Sequence, residues 1–300
     1  MMPGQIGVPL IHSGPAPGER IASVPSRVAV VRGELPPGAL LTDALWDLME
    51  PSGALAAAVE LGSGTLGRLP YVFPAIGTDP GRPMSFTTER LAPAPAMVLS
   101  GSATVGRRHG HRFTHTHASW LDARGRLRGG HLLPEAQVGE VPVEVVLRAL
   151  LDVEQLSDDD PETGLPAFTP GPRPTDLPPV SGGTGRAVIS RVRPGVYLDD
   201  AVLEVCRRAG FDDARVRASL GSTVGARLIT QEGEITEVDW PAVEFTQLVG
   251  SARRVLTGEA RVELQGTLVD IHGEVYNGVV RPGENPVAVT FELYVEEVAP

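Results

Sequence analysis

His115-Thr116-His117-Ala118-Ser119-Trp120-Leu121-Asp122-Ala123-Arg124-Gly125-Arg126-Leu127-Arg128-Gly129-Gly130-His131-Leu132 is two runs of strand-forming residues around an Asp-x-x-Gly turn. Asp suits the first position of a type I turn, and Gly suits the left-handed residue of the bulge that follows. A three-residue loop of this kind pairs Asp122 with Arg126. Counting outward sets Leu121 opposite Leu127, Ser119 opposite Gly129 and His117 opposite His131. Directly opposed residues share a face, as do residues two apart on one strand. His115, His117 and His131 are therefore expected to form one cluster. A two-residue turn would slip the register by one and send His131 to the other face. The cluster thus depends on a glycine bulge, at Gly125 or at Gly129-Gly130.

The same hairpin occurs twice. Trp120-Leu121-Asp122 followed by Gly125 parallels Leu268-Val269-Asp270 followed by Gly273. Upstream, Leu99-Ser100-Gly101-Ser102-Ala103 is echoed by Leu248-Val249-Gly250-Ser251-Ala252, and Leu61–Gly67 by Leu220–Gly225. Leu41-Thr42-Asp43-Ala44-Leu45-Trp46 matches Leu198-Asp199-Asp200-Ala201-Val202-Leu203, each read as the acidic start of an amphipathic helix. Val28–Arg32 and Ala187–Val192 read as opening strands, 140–151 and 286–295 as apolar closing strands. The chain is therefore expected to be α+β: two domains, each a mostly antiparallel sheet with one main helix.

Between the copies lie Asp158-Asp159-Asp160, seven prolines from Pro161 to Pro179 and Gly182-Gly183. That composition predicts an extended linker. The expected organisation is an N-terminal extension (1–24), a domain with the histidine site (25–154), the linker (155–185) and a degenerate second domain (186–300).

The 300 residues carry a formal net charge of −11, and all 26 basic residues are arginine. The acidic balance argues against non-specific binding to DNA or anionic lipid, which rests on neutralising phosphates. No apolar run reaches the ~18–20 residues of a membrane span, and the first twenty residues have no secretory pattern, so a cytoplasmic location is expected. The single Cys206 excludes an intrachain disulfide framework and is read as a core thiol. No phosphate-binding loop, full dinucleotide fingerprint or nucleophile elbow occurs.

Three converging imidazoles are costly in a core, because neutral rings must satisfy both nitrogens and charged ones repel. A metal site, an anion pocket without metal and a cluster without ligand all remain open. The metal reading leads: three histidines leave an open position of the kind found in catalytic zinc sites. Zinc is the first expectation among divalent ions, with nickel, cobalt and iron compatible with the same donors. Arg107, Arg108, Arg126 and Arg128 crowd the region and are candidates for recognising an anionic substrate. A solvated hairpin edge is the alternative for them. His109 and His111 read as a solvated loop, His12 and His272 as turn residues. In the second copy the three histidine positions fall on Glu263, Gln265 and Val279. The second domain is therefore expected to be a structural or substrate-covering partner.

The segment His115–Asp122, then Gly125 and Gly129-Gly130-His131-Leu132, together with Leu99–Ala103, resembles the prokaryotic plants-and-prokaryotes-conserved (PPC) domain. The resemblance covers about residues 25–152, with 186–298 as a degenerate second copy. It implies a domain that associates as a trimer, and hence a homo-oligomer. In plants this domain accompanies AT-hooks in DNA-binding proteins, and bacterial members carry a DNA-binding label by that association. Here Arg124-Gly125-Arg126 is followed by Leu127 rather than proline and lies in the hairpin turn, so it is not an AT-hook. The leading expectation is a metal-dependent enzyme of hydrolase or lyase type, acting on a small carboxylate-bearing molecule. A non-enzymatic DNA-associated or regulatory protein is the alternative, and a metal-stabilised scaffold a third. The sequence does not identify the catalytic acid or base.

Overall fold

Fifteen residues of alternating character, Ile21–Leu35, form one long strand, β1, that serves both halves of the molecule. The computed structural model describes residues 5–79 and 81–298. In the first half β1 is followed by helix α1 (Leu41–Met49) and strands β2 (Ala56–Leu61), β3 (Ala96–Arg108), β4 (His111–Leu121), β5 (Leu127–Leu132) and β6 (Val143–Leu150). The sheet order is β1-β6-β2-β3-β4-β5, antiparallel throughout.

A two-stranded insertion (β7, Val153–Asp159; β8, Pro166–Pro172) then leads into the second half. That half contains β9 (Gly185–Val192), α2 (Leu198–Ala209), β10 (Ala214–Thr223), β11 (Val243–Arg253), β12 (Arg261–Val269), β13 (Val275–Val280) and β14 (Val287–Glu297). Its order, β9-β14-β10-β11-β12-β13, repeats that of the first. The α+β reading and the repeat hold element for element.

Each helix buries its apolar stripe on one face of its own sheet. Leu41, Leu45 and Met49 pack with Val59, Val105 and Leu147, and Leu198, Val202 and Val205 with Val216, Leu248 and Phe291. The opposite sheet faces meet each other. Ala56, Ala58 and Leu150 of the first half pack with Ile189, Ala218 and Tyr294 of the second. The small alanines let the sheets approach closely, and burial of this shared apolar surface holds the halves together. Arg148, itself buried, adds ion pairs to Glu60 (2.9 Å) and across the interface to Glu296 (3.1 Å). The N-terminal half of β1 pairs with β9 while its C-terminal half pairs with β6. Backbone hydrogen bonding is therefore continuous across both sheets.

The segment read as an extended linker is partly folded. β7 and β8 pair from Val153–Pro172 to Asp159–Pro166, and β7 also runs parallel to β3. Its acidic run is the reason. Asp160 is buried between Arg191 (2.6 Å) and Arg193 (2.9 Å), and its Oδ1 accepts from the Thr163 N–H. Charge pairing with the second half supplies what the proline-rich composition lacks. The N-terminal segment is likewise engaged: His12 Nε2 sits 2.7 Å from the Ala288 carbonyl, and Arg20 pairs with Glu162. Met1 to Gly4 lie outside the described residues. Among those described, no helix is long and apolar enough to cross a membrane.

Candidate metal centre

The hairpin that carries the histidines has the expected register. Leu121 faces Leu127, Ser119 faces Gly129, and His117 faces His131. The Gly125 N–H donates to the Asp122 carbonyl, the Asp122 N–H to the Arg126 carbonyl, and Gly125 has φ +70°. Asp122 Oδ1 accepts from the backbone N–H groups of Arg124 and Arg126. These bonds hold its carboxyl below the usual range, although burial pushes the other way. Asp270, His272, Glu274 and Gly273 (φ +78°) build the same turn in the second half.

His115, His117 and His131 come together as the pattern requires, with one donor atom from each lying within 4.8 Å of the others. His117 is 1% exposed and lies at the centre. Its Nε2 is 3.0 Å from His115 Nε2 and 3.3 Å from His131 Nδ1. Its Nδ1 is 2.9 Å from the carbonyl of Phe245, which can only accept, so Nδ1 carries the proton and Nε2 a lone pair. His115 Nδ1 lies 2.7 Å from Glu292 Oε1, which fixes that ring in the same sense. Loss of solvation, reinforced by repulsion from His115 and His131, lowers the His117 pKa well below normal. Burial and His115 push His131 down to about 3. Lone pairs facing each other at about 3 Å repel unless a cation or a proton lies between them. The outer hydrogen bonds that fix the His115 and His117 rings are the arrangement that metal-bound histidines show. The donor set fits a divalent ion.

The second half contributes more than a cover. Glu244 on β11 and Glu292 on β14 are 2% and 1% exposed and both reach the cluster. Glu244 Oε1 lies 3.6 Å from His117 Nε2, and burial pushes its carboxyl up to about 8. The second oxygens of Glu244 and Glu292 have no hydrogen-bond partner. Both glutamates are absent from the sequence reading. Their only mark in the sequence is a charge inside an apolar run, Val243-Glu244-Phe245 and Phe291-Glu292-Leu293. Glu263, the one metal-capable residue among the aligned positions, is exposed instead.

A cavity of about 340 Å³ opens onto the cluster. Its walls are mostly apolar, from Met84, Phe86, Phe113, Leu165, Phe168 and Val289. Of the four arginines expected around the site, only Arg108 lines it. Arg126 turns back to Asp122, Arg128 pairs with Glu274 (2.6 Å), and Arg107 lies over Trp46 at 4.9 Å. These three point away because alternation along β3 and β5, and the turn itself, send their side chains elsewhere. His109 and His111 are exposed at the tip of the β3–β4 hairpin, and Cys206 is buried in the α2 core, as read.

Comparison with known proteins gives a domain match and several solved structures. No curated protein matches the chain. A plant- and prokaryote-conserved (PPC) protein from Pyrococcus horikoshii is 20% identical, covering 51% of this chain and 96% of its own, with a TM-score of 0.37. A metal-containing protein from Archaeoglobus fulgidus is 22% identical over 48% of this chain and 95% of its own, TM-score 0.40. A protein from Ralstonia eutropha JMP134, provisionally named DNA-binding, is 18% identical over 47% and 88%, TM-score 0.35. The match to the Plants and Prokaryotes Conserved (PCC) domain spans residues 180–299, the half that lacks the three clustered histidines. Residues 180–299 thus match the Plants and Prokaryotes Conserved domain, and the chain sets ahead of them a unit of the same strand order.

Proposed function

We propose that the protein is a metal-dependent enzyme, of hydrolase or lyase type, with one centre built between its halves. The first half supplies His115, His117 and His131 as ligands, and the second supplies Glu244 and Glu292. The observation that carries this reading is the close approach of the His115 and His117 Nε2 atoms, 3.0 Å apart, with each Nδ1 engaged on its outer side. A divalent ion held there, zinc first among those suited to three nitrogens, would supply Lewis acidity toward a carbonyl or a water. Glu292 holds the His115 ring in place. Glu244, which lines the cavity and has a buried oxygen without a hydrogen-bond partner, would take up or deliver a proton at the reacting group. The walls of the cavity exclude water and orient a small substrate.

Elemental analysis of the purified protein tests the centre. The expected result is about one ion per chain, lost in His117→Ala. Glu244→Gln should retain the ion and lose turnover in a screen of carboxylate-bearing esters and lactones. No metal in the parent protein would remove the reading.

A DNA-associated role is the second reading, favoured by the names that relatives of this fold carry. Against it stands the net charge of −11; of the arginines on the histidine hairpin, Arg108, Arg112, Arg126 and Arg128 pair with carboxylates, three of them with exposed ones. Salt-dependent binding to duplex DNA, lost on replacing those arginines, would favour it.

A further inference from the structure

The cavity has one cation at its outer end and carboxylates at its inner end. Arg108 lies opposite His111 in the β3–β4 register and shares its face with Phe113, His115 and His117. Its guanidinium leans inward over the Phe113 ring, 5.9 Å from the centroid. From Phe113 to His115 and His117 the strand advances about 7 and 13 Å. The cavity wall over that interval is mostly apolar. Phe168 from the β7–β8 insertion stacks near Phe113 at 5.6 Å. It fits there because Gly106, opposite Phe113, has no Cβ: one would lie 2.6 Å from the Phe168 ring. Leu165, Met84 and Phe86 complete the enclosure.

We propose that the cavity binds an organic monoanion with an apolar ring or short chain, its carboxylate at Arg108 and its body lying against the wall that Phe113 and Phe168 form together. The polarity of the walls fixes the orientation. In the metal-free cavity Glu292, paired with His115, disfavours a second carboxylate at the inner end, while Arg108 is the only arginine among the described lining residues. The partner that Arg108 has in the structure, Asp159, is 73% exposed, and a solvated pair of that kind gives way readily to a ligand carboxylate. Desolvation of the apolar body supplies affinity, and the guanidinium supplies the preference for acid over alcohol. For the far end of the ligand, where reaction would occur, the inference rests on the metal-centre reading. For binding it does not.

Calorimetric titration of the full-length protein, zinc-loaded and chelator-stripped, with 4-phenylbutanoate, 4-phenylbutanol and acetate tests it. The acid should bind about tenfold more tightly than the alcohol, the step a charge-assisted hydrogen bond provides, and acetate should bind weakest. Arg108→Gln should erase the difference between acid and alcohol, and Leu165→Trp, which fills the cavity, should abolish both. Equal binding of acid and alcohol, acetate binding as well as phenylbutanoate, or an unchanged preference in Arg108→Gln would overturn the proposal. Zinc-loaded protein that takes up none of the three overturns it while leaving the metal centre standing. Binding by the stripped protein supports it whatever the fate of the metal.

Discussion

His117 is held neutral by its surroundings, and this sets how the metal-free protein responds to pH. A histidine with a depressed folded pKa is protonated in the unfolded chain before it is protonated in the fold. Stability then falls as pH drops below the unfolded value of about 6.5, by about 1.4 kcal/mol per pH unit per group, until the folded pKa is reached. His117 and His131 both act this way, the latter down to about 3. Glu244 works in the opposite sense. Its folded pKa, raised to about 8, adds stability at low pH that is lost as pH rises from the ordinary carboxylate range toward 8. Two groups outweigh one on the acid side, so chelator-stripped protein should be most stable near pH 6–7. Thermal melts across pH 4–9 check this. His131→Ala should flatten the acid limb and Glu244→Gln the alkaline limb, whereas a flat profile in the parent would refute the assignment. The same neutrality leaves the imidazole nitrogens available to a metal at pH 7 without a deprotonation cost.

At the scale of elements, the histidine hairpin was legible because turn chemistry sets register, and register sets which side chains share a face. Gly125 at φ +70° is the hinge of that argument. Gly125→Ala should destabilise the protein by about 1 kcal/mol, and it should weaken metal binding more than a surface change of similar cost, because any relaxation of the turn shifts His131 against His117. A melt combined with a metal titration would show both effects. Conversely, Pro161–Pro179 misled because composition reports what a segment lacks in apolar surface, not which buried ion it meets. Asp160 finds Arg191 and Arg193, two residues apart on and just past β9, and that pairing across the chain has no local signature. Asp160→Ala leaves both cations without their anion and should cost about 3–5 kcal/mol. Because the β7–β8 insertion forms one wall of the cavity, the variant should also show faster backbone amide exchange through 153–172. Unchanged exchange there would mean the ion cluster does not hold the insertion down.

Across the whole molecule, the site belongs to neither half. His115 depends on Glu292 of the second half to fix its ring, and His117 on the Phe245 carbonyl. Glu244 and Glu292 were illegible in the sequence because alternation identifies the faces of a strand but not which sheet each face will meet. Face-to-face packing of two sheets from distant parts of the chain decides that. Separating the halves would uncover the alanine-rich face around Ala56 and Ala58 and leave half of β1 without its partner β9. A bared apolar face and an open strand edge together favour self-association. The first half produced alone as residues 1–150 should therefore associate or aggregate in light scattering and bind metal far more weakly than the full chain. Co-produced with residues 151–300 it should recover the assembly state and the metal stoichiometry of the parent. A monomeric 1–150 fragment that binds metal as tightly as the intact chain would show that the three histidines are organised by their own hairpin alone, and would confine Glu244 and Glu292 to the chemistry rather than the assembly of the centre.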